Sequence, residues 1–222
     1  MRFVIEWDGV VFDLVAGWHR AHELAAESVG WSKLDRATFW RLMRTKGFQA
    51  DFLPGARPQK FKDYTAVFER LRESDEIVSL FGIQSNVSPA FQTLKREGPC
   101  IGVTSGSNSD ARRRLIEREK WTPLFSEFQS LNRDPRIRPV ELKALANRDP
   151  RTVAVGASDA FIRSADAAEL FAVGVSLGPV TPSRLQQAGA RLVFPTLIEL
   201  AEAASKGASR LVEAGLAPER LS

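Results

Sequence analysis

Two carboxylates stand one residue apart near the start of the chain, at Glu6 and Asp8, and Gly9 follows them directly. They come after a short apolar run, residues 2–5, which is typical of a strand. Such a pair can bind a divalent cation, or it can divide into a nucleophile and an acid. Because glycine permits a tight turn, the strand is predicted to end here, with a polar site at its tip.

Two later apolar runs also end in polar residues. Residues 100–103 are followed by Thr104 and Ser105 ahead of a predicted helix, where hydroxyls and free N–H groups make an anion site. Residues 152–155 end at Gly156, which permits another tight turn. Taken singly, such loops are more often simple turns. Ligands of an open parallel sheet bind at the carboxyl ends of its strands, so we expect the three loops to meet on one rim.

The elements that would position these loops alternate between strand and helix. This alternation predicts the α/β class, with a Rossmann-like parallel sheet. Residues 14–85 differ, because apolar helix spacing predicts that they are all helical around a loop at 48–58. We therefore predict a core domain of residues 1–13 and 86–222, and an inserted helical domain of residues 14–85, called here the predicted cap.

Some boundaries follow from local signals. Ser88 is predicted to cap a helix that begins at Pro89. Asp13 is predicted to cap the first helix of the predicted cap. The final helix is predicted to begin at Leu197 and to continue through Leu211.

Composition limits the classes of protein that fit. Of the 222 residues 44% are hydrophobic, which is enough for a buried core. The single cysteine, Cys100, excludes an internal disulfide and suits a reducing compartment. No apolar run is long enough to span a membrane, and the first residues do not form a secretory signal. We expect a cytoplasmic protein that does not act at a membrane.

The chain is basic, with a formal net charge of +4 and a pI of about 9.5. A basic surface attracts phosphorylated ligands or nucleic acid. The densest basic run, Arg112 to Arg114, has no aromatic residues between the arginines to stack on bases. We therefore predict a solvated basic surface and no nucleic-acid partner. His19 and His22 are three residues apart and could bind a metal, but we expect a hinge or a solvent-facing position instead.

Three stretches resemble motifs of one family. Residues 3–13 resemble an apolar strand followed by Asp-x-Asp-Gly, the first motif of the haloacid-dehalogenase-like hydrolases. Residues 101–106 resemble the second motif, and residues 153–158 the fourth, which usually contains Val-Gly-Asp-Ser. The resemblance covers nearly the whole chain in the right order. It is to the phosphatase and mutase branch, in which a helical cap follows motif one.

The resemblance implies roles for particular residues. In the family, the motif-one residue at the position of Glu6 attacks phosphorus, and the one at the position of Asp8 protonates the leaving group and activates water. The hydroxyl residue of motif two, here Thr104 with Ser105 beside it, holds the phosphate. A cofactor, Mg²⁺, is held by the first aspartate, a backbone carbonyl and an acidic residue of motif four.

The sequence departs from the family at several of these points. The nucleophile position holds Glu6, which is one methylene longer than aspartate. Ala157 replaces the metal-binding aspartate of motif four, and Phe161 replaces an acidic residue one turn later. Asp159 lies between them and could substitute as a metal ligand, although we expect its side chain to point elsewhere.

The lysine of the third motif is also missing. Arg138, or else Arg136, stands near its position. Arginine keeps the charge of lysine but replaces a compact ammonium with a wide fork.

Two functions remain open from the sequence. The first is a degenerate, phosphatase-like pseudoenzyme with little or no Mg²⁺-dependent turnover, which binds a phosphorylated ligand or a protein partner. The second is a divergent but active hydrolase of a small phosphorylated metabolite, in which Glu6 or Asp8 has an altered role. The departures above favour the first, because Mg²⁺ requires near-ideal octahedral oxygen coordination.

Overall fold

The centre of the protein is a six-stranded sheet in which every neighbouring pair is parallel. The structure, a computed structural model, describes residues 1–47, 57–147 and 149–206. Along the chain the strands are β1 (Arg2–Glu6), β4 (Cys100–Thr104), β5 (Glu127–Ser130), β6 (Thr152–Gly156), β7 (Phe171–Val175) and β8 (Leu192–Phe194). Their order across the sheet is β5-β4-β1-β6-β7-β8. The predicted α/β class with a parallel sheet is confirmed.

Helices cover both faces of this sheet. They are α5 (Val87–Glu97), α6 (Ser109–Arg118), α7 (Arg138–Ala146), α8 (Asp159–Ala167), α9 (Pro182–Gln187) and α10 (Leu197–Ser205). Since alternate strand residues point to opposite faces, Phe3 and Ile5 pack in one apolar cluster with residues of α5 and α10. Val4 packs in the other cluster with residues of α7 and α8. Both faces of β1 are therefore buried, which explains its apolar run.

Among the described residues, four helices precede α5: α1 (Val15–Ser28), α2 (Arg36–Lys46), α3 (Pro58–Leu71) and α4 (Asp75–Ser79). They fall within the predicted cap, whose domain boundaries remain a prediction. The expectation that residues 14–85 are entirely helical is wrong. A short strand β3 (Gly82–Ile83) pairs antiparallel with β2 (Phe12–Asp13) and brings the two ends of the segment together. Two-residue strands are too short to produce a period-2 pattern, so they could not be predicted from the sequence.

Several helix boundaries differ from expectation. Helix α5 begins at Val87 rather than Pro89, because Asn86 adopts a left-handed conformation (φ 60°) at the N-cap and Ser88 is already helical. The N-cap of α1 is Leu14 rather than Asp13, but the Asp13 carboxylate still accepts a hydrogen bond of 3.0 Å from the N–H of Val15, the first residue of the helix. The predicted loop at 48–58 falls almost wholly outside the described residues, as does the extension of α10 to Leu211. Within the described residues, no helix combines the length and the apolar character needed to cross a bilayer.

His22 lies in the interior of the helical segment, so the expected hinge or solvent-facing position is wrong. Its Nδ1 is 2.8 Å from the Tyr64 hydroxyl on α3, and its Nε2 accepts a hydrogen bond of 2.9 Å from the Leu34 N–H. An Nε2 that accepts a hydrogen bond carries no proton, so the ring is neutral. Burial, followed by the nearby His19, lowers the pKa of His22 from 6.5 to about 4. His19 is half-buried, with its Nε2 2.9 Å from the Leu34 carbonyl.

This buried histidine predicts a loss of stability in acid. Below pH 6.5 His22 becomes protonated in the unfolded chain, whereas in the folded chain it stays neutral down to about pH 4. The free energy of unfolding should therefore fall by about 3 kcal/mol over that window through this group. In urea titrations at a series of pH values, His22→Gln should lack this loss and His19→Gln should retain it. A wild-type curve parallel to that of His22→Gln would contradict the prediction.

Trp7 follows β1 and is fully buried among phenylalanine rings. Its ring centroid lies 4.3 Å from that of Phe125, 5.2 Å from Phe12 and 5.3 Å from Phe128. The indole Nε1 lies over Gly102 of β4, where an added Cβ would come closer than 3.0 Å to it. The indole ring therefore requires glycine at this position of the neighbouring strand.

Candidate functional site

The three polar loops meet at the carboxyl edge of the sheet, as predicted. β1 lies between β4 and β6, so the loops after these three strands are neighbours. They border a cleft of about 230 Å³ that the side chains of the predicted cap also enter. The lining residues include Glu6, Asp8, Trp18, Arg72, Glu73, Ser105, Arg112, Arg133, Arg138 and Ser158.

Glu6 ends β1, and its carboxylate is bound by the loop after β6. One oxygen, Oε2, accepts hydrogen bonds from the backbone N–H groups of Ala157 (2.9 Å) and Ser158 (3.1 Å). The other, Oε1, accepts a bond of 2.6 Å from the Ser158 hydroxyl. These groups stand at the N-terminus of α8, where free N–H groups and the helix dipole stabilise an anion. The longer side chain therefore joins two neighbouring strand ends directly.

Burial dominates the acidity of this group, since Glu6 is only 3% exposed. Burial raises its pKa from 4.5 to about 7, against the lowering effect of the hydrogen bonds from Ser158 and Ala157. The negative charge of Asp8 raises the pKa further, and the positive charge of Arg138 lowers it. Burial and hydrogen bonding therefore act in opposite directions on the ionisation of Glu6.

Asp8 is bound on both oxygens by groups of the core. Oδ2 accepts a hydrogen bond of 2.9 Å from the Thr104 hydroxyl, and Oδ1 accepts one of 2.8 Å from Nε of Arg112. Gly9 follows with a φ of 89°, a left-handed conformation that favours glycine. The turn therefore directs Asp8 toward α6 (Ser109–Arg118), whereas Glu6 points toward α8 (Asp159–Ala167).

The two hydroxyls predicted to hold phosphate differ in their surroundings. The Thr104 hydroxyl is fully used, because it donates to Asp8 and accepts a bond of 3.0 Å from the Gly106 N–H. The Ser105 hydroxyl is buried at the wall of the cleft and has no hydrogen-bond partner among the residues that the structure describes. Ser105 is therefore the better placed of the two to donate to a ligand.

Of the two arginines proposed for the third motif, Arg138 lines the cleft. It is 4% exposed, and its guanidinium donates to the carbonyls of Asn132 (2.9 Å) and Arg133 (3.1 Å). Burial lowers the pKa of Arg138, while the attraction of Glu6 raises it. Arg136 is exposed and pairs with Asp134 instead.

The residues at the expected metal position do not fit Mg²⁺. The Glu6 oxygens already accept three hydrogen bonds from the protein, and Ala157 offers a fully buried methyl group in place of an oxygen. Asp159 pairs with Arg184 on α9 (Pro182–Gln187), as expected for a side chain that points elsewhere. Within the ranges 1–47, 57–147 and 149–206, no group of three histidine, cysteine or acidic side chains could hold a metal ion.

Sequence reasoning missed the most buried charge of the cleft. Arg112 is 2% exposed, so the predicted solvated surface is wrong for this residue of the basic run. Its position three and four residues before Leu115 and Ile116 puts it on the apolar face of α6, and this spacing was a usable signal. Arg114 does match the prediction, because its side chain is 58% exposed and pairs with Asp75.

Arg112, Glu73 and Arg133 form a series of ion pairs that begins at Asp8. Besides Asp8, Arg112 binds Glu73, with 2.9 Å between Nη1 and Oε2. Glu73 comes from the turn between α3 and α4, and its other oxygen pairs with Arg133. The Arg133 Nε donates a hydrogen bond of 2.7 Å to the Ser105 carbonyl. No motif marked Glu73 or Arg133, because their contacts are formed only by the tertiary fold.

Of three comparisons with known proteins, the search of solved structures gives matches. Neither a scan against protein-family models nor a search of curated proteins gives a match. Among solved structures, a haloacid dehalogenase-like family hydrolase from Streptococcus pneumoniae has a TM-score of 0.70 at 12% identity, and the match covers 90% of this chain and 96% of that one.

Two further solved structures give the same result. A predicted phosphoglycolate phosphatase from Haemophilus somnus has a TM-score of 0.65 at 18% identity, covering 90% and 96% of the two chains. A subfamily IA hydrolase of the same superfamily from Geobacter sulfurreducens has a TM-score of 0.62 at 20% identity, covering 91% and 95%. At these identities the likeness establishes the fold.

Proposed function

We propose that this chain, which has the fold of the haloacid-dehalogenase-like hydrolases, has little or no Mg²⁺-dependent phosphatase activity and binds a small anionic ligand in its cleft. A phosphorylated molecule is the ligand class that the fold and the cleft arginines favour. Fold alone does not choose between activity and binding, because function depends on the residues of the site.

One observation carries the proposal: both oxygens of the Glu6 carboxylate are hydrogen-bonded within the protein itself. Its oxygens accept hydrogen bonds from the Ala157 N–H, the Ser158 N–H and the Ser158 hydroxyl, so both are held toward the start of α8 rather than toward a phosphoryl group in the cleft. In-line attack requires well-aligned reacting atoms, and a misplacement of about 1 Å costs on the order of 100-fold in rate. The absence of a carboxylate at Ala157 supports the same conclusion for metal binding.

A second candidate is a divergent hydrolase that works without a metal. The arrangement that favours it is a pair of neighbouring carboxyls: Glu6 is buried at the start of α8, where burial raises its pKa, and Asp8 is paired with Arg112. Two neighbouring carboxyls in different environments are a common basis for acid and base roles. Hydrolysis that persists in EDTA would distinguish this candidate from the first.

The proposed location is a reducing, cytoplasmic compartment. Cys100 is buried in β4 as a free thiol, and burial raises its pKa to about 12, which keeps it protonated and unreactive. Because Cys100 is the single cysteine of the chain, an oxidising environment could not stabilise the protein through an internal disulfide.

The first prediction from this proposal concerns catalysis. With p-nitrophenyl phosphate or acetyl phosphate and Mg²⁺, release of phosphate should not exceed the rate without protein. Glu6→Asp should remain equally inactive, because position 157 still lacks an oxygen ligand. Phosphate release is measured with and without EDTA, and Asp8→Asn is the matched control. Robust Mg²⁺-dependent turnover that Asp8→Asn abolishes would overturn the proposed function.

A further inference from the structure

A carboxylate from the predicted cap sits between two arginines of the core. One oxygen of Glu73, Oε2, lies 2.9 Å from Nη1 of Arg112, and the other oxygen pairs with Arg133. The Glu73 side chain is 10% exposed and that of Arg112 is 3% exposed. Two arginines that each bind one oxygen of the same anion form a geometry well suited to carboxylate or phosphoryl groups.

The two arginines are held in place by the core. Nε of Arg112 donates to Asp8, and its Nη1 also donates to the Asn108 carbonyl at 3.1 Å. Nε of Arg133 donates to the Ser105 carbonyl at 2.7 Å. The pair is therefore positioned by contacts that do not involve Glu73. The Ser105 hydroxyl, which has no partner among the described residues, lies on the same wall of the cleft.

The charge balance of the cleft depends on Glu73. Among the described residues, four arginines line it, namely Arg72, Arg112, Arg133 and Arg138, against the carboxyl groups of Glu6, Asp8 and Glu73. Withdrawal of Glu73 would leave these four arginines facing two carboxyl groups, those of Glu6 and Asp8. The cleft would then attract an anion strongly.

We propose that Arg112 and Arg133 form an anion subsite which Glu73 occupies in this structure and which an anionic group of the ligand takes when Glu73 leaves. This deepens the proposed function and rests on it for the anionic nature of the ligand. Glu73 is then a specificity-determining residue, because only a group that presents two or more oxygens to the two arginines replaces it well. Chloride, which offers a single point charge, competes poorly.

The location of Glu73 makes such an exchange feasible. It lies in the turn between α3 and α4, two residues from Asp75, whose carboxylate pairs with the exposed Arg114 on the core. Both acidic residues join the predicted cap to α6. Only Glu73 lines the cleft, however, whereas the Asp75–Arg114 pair is solvent-exposed. The two positions therefore allow a matched comparison.

Phosphate binding tests the inference. Inorganic phosphate is titrated by calorimetry into the protein in EDTA, at an ionic strength fixed with chloride. Glu73→Gln keeps the shape of the side chain and removes its charge, so phosphate should bind about 10-fold tighter than to the wild type. Asp75→Asn removes a charge from the same turn and should bind phosphate as the wild type does.

A second variant keeps the test valid if Glu73→Gln does not fold. Arg133→Gln changes a side chain that is 43% exposed, so the fold should tolerate it, and phosphate affinity should drop about 10-fold. In the Glu73→Gln background, the same change should remove the gain. Acetate replaces phosphate in a parallel titration and should show the same order of affinities, with weaker binding throughout.

The outcomes separate this inference from the proposed function. If the wild type binds phosphate and Glu73→Gln binds it equally well, the subsite is refuted and the proposed function stands. If Asp75→Asn gains as much affinity as Glu73→Gln, the effect is one of net charge and the subsite is again refuted. If neither the wild type nor any variant binds phosphate at any concentration up to its solubility limit, the subsite and the proposed anionic ligand are both refuted. If the variants bind phosphate in the predicted order but the protein also hydrolyses phosphate esters with Mg²⁺, the proposed function is refuted and the subsite stands.

Discussion

Arg112→Met is expected to lower the free energy of unfolding by about 3–5 kcal/mol, the loss typical of removing one partner from a buried ionic group. Arg112 is 2% exposed and is bound by both Asp8 and Glu73. Methionine fills much of the same volume but offers no donor. Asp8 would then lose its arginine partner in a largely buried place, and Glu73 would lose one of its arginine partners. Equilibrium unfolding in urea measures the loss.

Two controls identify the cause of this loss. Arg114→Met removes an exposed arginine from the same helix and should cost no more than about 1 kcal/mol. Removal of the two carboxylate charges should restore stability. Asp8→Asn with Glu73→Gln in the Arg112→Met background should therefore recover most of the lost free energy of unfolding. If the triple variant is as unstable as Arg112→Met, packing rather than charge explains the effect.

Gly102→Ala is expected to destabilise the protein by about 1–3 kcal/mol or more, the usual cost of overpacking a core. The added methyl group would lie closer than 3.0 Å to the Trp7 indole, which is itself confined by Phe125 and Phe128. Since interiors are close-packed, the ring cannot move aside without displacing its neighbours. Thermal unfolding followed by near-ultraviolet circular dichroism reports both the stability and the packing of Trp7.

The matched control for this substitution is Gly82→Ala. Gly82 lies in the short strand β3, is exposed, and an added Cβ there would meet its nearest neighbour, the Asp13 Cβ, at an ordinary 3.4 Å. We expect little change in stability. Gly102→Ala should cost less in a Trp7→Leu background than in the wild type, because the smaller side chain frees space over β4. Equal losses at Gly102 and Gly82 would count against the steric explanation.

The sheet could be predicted because buried parallel strands leave a direct trace in the sequence. Residues 100–103 and 152–155 are continuous apolar runs, bounded by turn residues, and each became a central strand. Polar residues at the ends of these strands then had to meet on one edge of the sheet. Short pairings such as β2 with β3 leave no such trace, because two residues per strand create no pattern.

The site was only partly predictable, for a different reason. The sequence marked Glu6 as an altered nucleophile, but not that the N-terminus of α8 would bind its carboxylate, which depends on β6 being the neighbour of β1. The burial of Arg112 could have been inferred from its spacing to Leu115 and Ile116. The approach of Glu73 could not, since it depends on how α3 and α4 sit against the core.

The attachment of Glu6 to the start of α8 also bears on how this edge of the sheet is held together. A side chain of the chain itself makes this link, through three hydrogen bonds to Ala157 and Ser158. The spacing between the end of β1 and the start of α8 is therefore set by an internal crosslink of the chain.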